Sequence, residues 1–214
     1  MTWPQVPLSE FVRHRKASIQ IEDDKTYRRV TVKLHAQGIV PRDEVSGSQI
    51  KTKKQFPVQA NDLLVAEIDA KAGGYGIVPA GLAGAVVSSH YFLYEVDPTR
   101  CEVRFLEWWL KTPSPLDQLQ QFIRGSLNYA AIRPYHFPTL TMPLPSLDEQ
   151  RRILAVIDKL EQLRHWHRLI GQELILLEKA VLDRAFKGEL SADVTVGEPR
   201  SRDHADRSGA LASR

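Results

Sequence analysis

The chain has 214 residues, 43% of them hydrophobic and 26% charged, which is enough to bury a core without staples and too apolar for wholesale disorder. Cys101 is the only cysteine. That excludes an internal disulfide and a cysteine-built zinc or iron–sulfur centre, and it fits a reducing, cytoplasmic setting. No apolar run approaches the roughly 20 residues that span a bilayer, and Met1–Gln5 lacks the charged and apolar blocks of a signal peptide, so no membrane partner is expected.

The net charge of +3 is unevenly spread. Residues 1–60 carry 11 Lys+Arg against 6 Asp+Glu, residues 61–145 carry 6 against 8, and the remainder balances. A basic N-terminal side suits a surface that faces a polyanion, and a solvated mixed surface looks the same.

Residues 1–145 read as a compact α+β domain. Val30, Val32 and Leu34 alternate with Thr31 and Lys33, as in a half-buried strand, and Leu63–Ile68 and Val86–Val96 also read as strands. Gly73, Gly74 and Gly76 crowd one turn, and Gly81 and Gly84 mark another. Short helices are expected near Val103–Lys111 and Leu116–Arg124, separated by Pro113 and Pro115, whose missing amide donors break a helix.

Two segments of this domain are suited to nucleic acid. Arg42, Lys51, Lys53 and Lys54 crowd the polar stretch from Pro41 to Gln55. Ammonium groups on a loop neutralise phosphates without strict geometry, so Lys51, Lys53 and Lys54 are expected as phosphate positioners. Asn128 and Tyr129, then Arg133 and His136, form a second polar and aromatic cluster. Asn pairs with adenine edges, Arg with guanine edges, and aromatic rings contact sugars or bases. A core-filling role for the tyrosines fits the same pattern.

One enzymatic pattern competes. Asp62 followed by Asp69-Ala70-Lys71 has the form of a Mg²⁺-dependent nuclease site, in which carboxylates hold the metal and the lysine helps activate water. Such triplets arise often by chance, and Asp62 also fits a turn before a strand. No P-loop and no methyltransferase motif is present. The seven histidines form no metal-ligand spacing, so no metal and no cofactor is expected.

Residues 146–190 read as one long helix. Pro143-Leu144-Pro145 leads into Ser146, a capping residue, with Glu149 three positions on completing a capping box. Ile153, Val156, Leu160, Leu163, His167, Ile170, Leu174, Leu177 and Val181 then follow 3-4 spacing, a coiled-coil seam with one polar member. Gly188 is a natural stop. Burying the apolar seam is worth roughly 1.5–3 kcal/mol per side chain, against an association cost of about 4–15 kcal/mol. The balance favours a partner helix, from a second copy or another protein. His167 is a register-setting polar residue or a pH switch. Ile157, Trp166 and Leu182, off the seam, are candidates for a further interface. Ser191–Arg214, poor in large apolar residues, reads as a disordered tail.

With these features in place the chain resembles the specificity subunit of type I restriction–modification systems. The resemblance rests on Leu8-Ser9-Glu10, Lys51-Thr52-Lys53, Asn61-Asp62-Leu63-Leu64, Gly73-Gly74-Tyr75-Gly76-Ile77-Val78, Ser88-Ser89-His90-Tyr91, Gly125-Ser126 with Asn128-Tyr129, and Arg133-Pro134. Above all it rests on Pro143-Leu144-Pro145-Ser146-Leu147 with Glu149-Gln150 and Ile153, and on Ala185-Phe186-Lys187-Gly188-Glu189-Leu190. It implies a non-catalytic target recognition domain that reads one half of a split double-stranded DNA site, and a spacer helix that pairs with a second spacer. It also implies partners: modification subunits that methylate adenine, and a restriction subunit that cleaves. A full subunit carries two recognition domains and two spacers, whereas this chain has one of each. Two copies pairing through antiparallel Leu147–Lys187 helices would rebuild the whole and read an inverted repeat.

Overall fold

The computed structural model describes residues 3–122 and 132–190. The fold is α+β and divides into two compact units, Met1–Lys159 and Leu160–Arg214. In chain order the strands are β1 (Gln5–Pro7), β2 (Val12–Arg15), β3 (Ile19–Gln20), β4 (Thr26–Val32), β5 (Ile39–Ser46), β6 (Lys54–Pro57), β7 (Leu63–Ala66), β8 (Tyr75–Ile77), β9 (Val86–Val87) and β10 (Tyr91–Val96). Helices α1 (Val103–Leu110) and α2 (Ser114–Gln120), strand β11 (Thr141–Pro143) and helix α3 (Leu147–Phe186) follow. The strands form a β1-β11 pair, a four-stranded β2-β10-β7-β8 sheet and a five-stranded β3-β6-β9-β4-β5 sheet. All pairings among the described strands are antiparallel except β4 with β9.

Strand β7 explains why Leu63–Ala66 is apolar throughout. Leu63 and Val65 enter one core cluster, with Leu8, Phe11, Tyr75, Tyr94, Leu106 and Leu119, while Leu64 enters a second, with Val30, Val32, Ile39 and Val87. A strand between two cores has no solvent face and so shows no alternation. Val30 and Val32 share the buried face of β4 as expected, but Leu34 lies past its end and is exposed.

The glycine-rich turn is a site of close approach. Gly73 has φ +77°, and a Cβ there would lie 2.9 Å from the Ala36 amide nitrogen; at Gly74 a Cβ would lie 2.8 Å from the Asp69 carbonyl. Only glycine fits there. The His35 and Ala36 amides donate to the Ala72 and Gly73 carbonyls, each at 2.8 Å.

Two boundaries and one cap differ from expectation. The Val86–Val96 stretch is two strands, broken at Ser88-Ser89-His90. Pro115 does not separate α1 from α2 but lies in the first turn of α2, where its missing amide is harmless. At the start of α3, the Ser146 hydroxyl caps the Glu149 amide at 3.4 Å, while the Glu149 carboxylate pairs forward with Arg152 at 3.2 Å.

Helix α3 has 40 residues and so runs about 60 Å at ~1.5 Å per residue. Its first turns join the domain core: Leu154 is buried there, with Ile153 and Ile157 packed alongside. Gln150 is fully buried. Its Oε1 accepts from the Glu102 amide at 2.8 Å, and its Nε2 donates to the Pro145 carbonyl at 2.9 Å and the Arg100 carbonyl at 3.3 Å. The helix ends where expected. Gly188 has φ +73°, its amide donates to Ala185 at 3.1 Å, and the Glu189 amide donates to Arg184 at 2.9 Å, a Schellman ending.

Candidate nucleic-acid interface

The break between β9 and β10 organises the polar surface of the domain. Strand β9 is wedged between β4 and β6, and Val86 and Val87 are both buried. The chain then turns through Ser88-Ser89-His90. The Ser88 hydroxyl accepts from the His90 amide at 3.5 Å, the Tyr91 amide donates to the Ser88 carbonyl at 3.2 Å, and the Glu67 amide to the His90 carbonyl at 2.8 Å. Each residue of this turn belongs to a different polar cluster that includes a basic side chain.

Ser88 lines the first, a cup with Arg29, Arg42, Gln49, Lys51, Thr52, Gln55 and Tyr91. Arg29 donates two hydrogen bonds to Asp43, both 2.6 Å. These hold the Asp43 carboxyl below its ordinary range. Arg42 lies 3.6 Å from the same carboxylate. Gln55 forms the buried floor and donates to the Thr52 carbonyl at 2.7 Å. Lys51 stands exposed at the rim.

Ser89 lines the second, with His14, Arg15, Lys16, Lys54, Phe56 and Phe92. Lys16 and Lys54 are exposed. Burial, and secondarily the Lys16 charge, push the His14 imidazole below its ordinary pKa. Arg15 is committed inward: it donates to the Pro57 carbonyl at 3.0 Å and pairs with Asp62.

His90 opens the third. Its Nδ1 lies 2.9 Å from Glu67 Oε2, and Arg133 Nη1 lies 3.6 Å from Glu67 Oε1. The Glu67 carbonyl accepts from the Ile132 amide at 3.1 Å, and the Tyr94 hydroxyl donates to the Pro134 carbonyl at 2.6 Å. Beyond them Tyr135 is exposed and packs edge-on against His136, which stacks flat on Phe122 at 4.6 Å. His136 Nδ1 accepts from the Arg133 amide at 3.2 Å. Burial, then the nearby Arg133 charge, lower the His136 pKa.

The structure thus brings Arg42, Lys51, Lys54 and Arg133 to clusters around one turn. Lys53 is turned elsewhere: it pairs with Asp23 and donates to the Gly47 carbonyl at 2.7 Å, tying the segment together. Asn128 and Tyr129 lie outside the described residues, as does the tail from Ser191. Lys16, Arg29, Ser88, Ser89 and His90 are additions that sequence reasoning missed, whereas Tyr135 belongs to the aromatic cluster read around Arg133 and His136. Ser88-Ser89-His90 was visible as a motif but sat inside an expected strand.

The nuclease pattern does not assemble in the same way. Asp62 is 3% exposed, and its Oδ2 accepts from Arg15 and from the Gln59 amide at 2.7 Å. Burial pushes its carboxyl up, against the pull of those two donors. Asp69 and Lys71 lie in a separate 3-10 turn, Asp69–Ala72. Among the described residues no three His, Cys, Asp or Glu side chains gather as a metal site. No described helix is long and apolar enough to cross a membrane.

On α3 the apolar seam is exposed from Val156 onward: Leu160, Leu163, Ile170, Leu174, Leu177 and Val181 are all open. Ile153, its expected first member, is partly covered by the chain's own core. Trp166, Ile175, Leu176 and Leu182 are exposed off the seam.

A family model, the type I restriction modification DNA specificity domain, matches residues 2–174. The chain belongs to that family. Two solved structures share the specificity-domain fold. An HsdS subunit from Thermoanaerobacter tengcongensis is 22% identical over 84% of this chain and 47% of its own, with a TM-score of 0.63. A chain from a structure of type I R-M complex assembly and conformational transition is 20% identical over 93% of this chain and 52% of its own, with a TM-score of 0.61. The chain spans about half the length of each. No curated protein matches it.

Proposed function

We propose that this chain is a non-catalytic DNA-reading subunit of a type I restriction–modification complex. It reads one half of a bipartite site and docks subunits that methylate adenine. The observation that carries this reading is the convergence on Ser88-Ser89-His90 of two cationic clusters and of the Glu67–Arg133 pair, in a specificity domain. Exposed Lys16, Arg42, Lys51, Lys54 and Arg133 suit phosphates, and the uncharged polar groups between them suit base edges.

The long helix supplies the assembly role. Its exposed seam from Val156 to Val181 suits a second copy, so that two copies present two recognition domains and a two-fold, inverted-repeat site. Exposed Trp166 and Leu182, off the seam, remain available to a modification subunit. A restriction subunit would join through the same complex.

The test is affinity capture of the tagged chain from its host, with sedimentation of the purified protein. Stoichiometric recovery of an adenine methyltransferase and a dimer at micromolar concentration are expected. Recovery of the chain alone contradicts the docking role, and a strict monomer contradicts the self-pairing.

A further inference from the structure

Within this convergence one side chain is held at one ring nitrogen and open at the other. His90 is 70% exposed in its side chain, yet its ring is held: Nδ1 lies 2.9 Å from Glu67 Oε2, and the Ser88 hydroxyl caps its amide. Glu67 is itself only 17% exposed. An ionised carboxylate accepts and never donates, so it fixes the ring proton on Nδ1. The neutral ring then presents Nε2 outward as an acceptor of fixed direction. An exposed imidazole oriented in this way has a polar atom prepared for a partner that the described residues do not supply.

The surroundings identify that partner. Lys16 and Lys54 flank the turn through Ser89, Arg42 and Lys51 through Ser88, and Arg133 through Glu67. Cations around the edge set the register on a duplex, and a neutral group between them meets base edges. We infer that His90 is a specificity-determining residue whose Nε2 accepts from the exocyclic amine of an adenine or cytosine in the major groove, with Glu67 as its positioning residue. In that groove adenine N6 and cytosine N4 donate, while guanine O6 and thymine O4 accept, so an acceptor separates the two classes. The inference rests on the DNA-reading function proposed above and names one of its contacts.

Enrichment of binding sites from a random duplex pool tests it, using the purified full chain at about pH 8. The wild-type protein should yield a consensus. His90→Ala should yield the same consensus with one adenine- or cytosine-bearing position degenerate, its discrimination down about tenfold, and with the salt dependence of binding unchanged. His90→Gln, whose amide oxygen restores an acceptor, should recover part of the preference. Glu67→Gln should blur that same position, which a purely structural role would not single out. A His90→Ala consensus intact at every position, or weakened evenly across all, overturns the inference. Absence of any wild-type consensus overturns the DNA-reading function itself and the inference with it.

Discussion

Gln150 Oε1, at the start of the long helix, accepts the Glu102 amide at 2.8 Å, at the entrance to α1 and 48 positions away in sequence. Its Nε2 donates to two further carbonyls, so one side chain seats α3 on the recognition domain. Arg104 with Asp158, and Arg151 with Glu102, flank this seat on the surface.

Truncating Gln150 leaves a buried donor and buried acceptors without partners, at about 1–3 kcal/mol per orphaned group. Gln150→Ala should therefore destabilise the domain by roughly 2–4 kcal/mol in urea unfolding. A loss below about 0.5 kcal/mol would mean that the seat is set by Leu154 and Ile157 instead.

Lys51 and Lys53 are two apart and should behave oppositely. Lys51→Ala removes an exposed cation and should lower the slope of log affinity against log salt by about 0.9. Lys53→Ala removes the tie to Asp23 and Gly47, so it should lower thermal stability and leave the salt slope nearly intact. Equal slope changes would place both on phosphates.

Asp62 is a buried structural partner of Arg15 and of the Gln59 amide. Asp62→Ala strands a half-buried Arg15, and breaking a fully buried pair from one side costs about 3–5 kcal/mol, so a somewhat smaller loss is expected. Asp69→Ala should leave folding and DNA retention unchanged, because Asp69 is exposed. Mg²⁺-dependent cleavage by the purified chain that Asp69→Ala abolishes would reinstate the nuclease reading.

His136 gives the Arg133 segment a pH dependence. Its folded-state pKa lies below the ordinary value of 6.5, from burial first and Arg133 second. A depressed pKa means that the stability tied to the neutral ring is complete above about 6.5 and is lost as pH falls through the lower, folded value. Protonation also ends acceptance from the Arg133 amide. The ring resonances of His136 should titrate below 6.5 in an NMR series, with Arg133 amide shifts following. Titration at or above that value contradicts the packing on Phe122.

Much of this was legible because it is local. The 3-4 spacing from Ile153 to Val181 marks the helix, and Ser146 and Gly188 mark its ends. The strand break at Ser88-Ser89-His90 was not legible, since apolar runs on both sides mimic one strand. Nor was the clustering: Lys16 reaches Lys54, and Arg29 reaches Lys51, only through pairing of β3 with β6 and β4 with β9. The inward turn of Lys53 likewise depends on Asp23, 30 residues away.

The most direct test of DNA reading is a fluorescence anisotropy titration of a labelled duplex with the purified chain across a salt series. Five exposed cations, Lys16, Arg42, Lys51, Lys54 and Arg133, predict log affinity falling linearly with log salt at a slope of about −4.5 per chain. Retention with no salt dependence, or none at about 50 mM salt, would contradict the DNA-facing role of this surface.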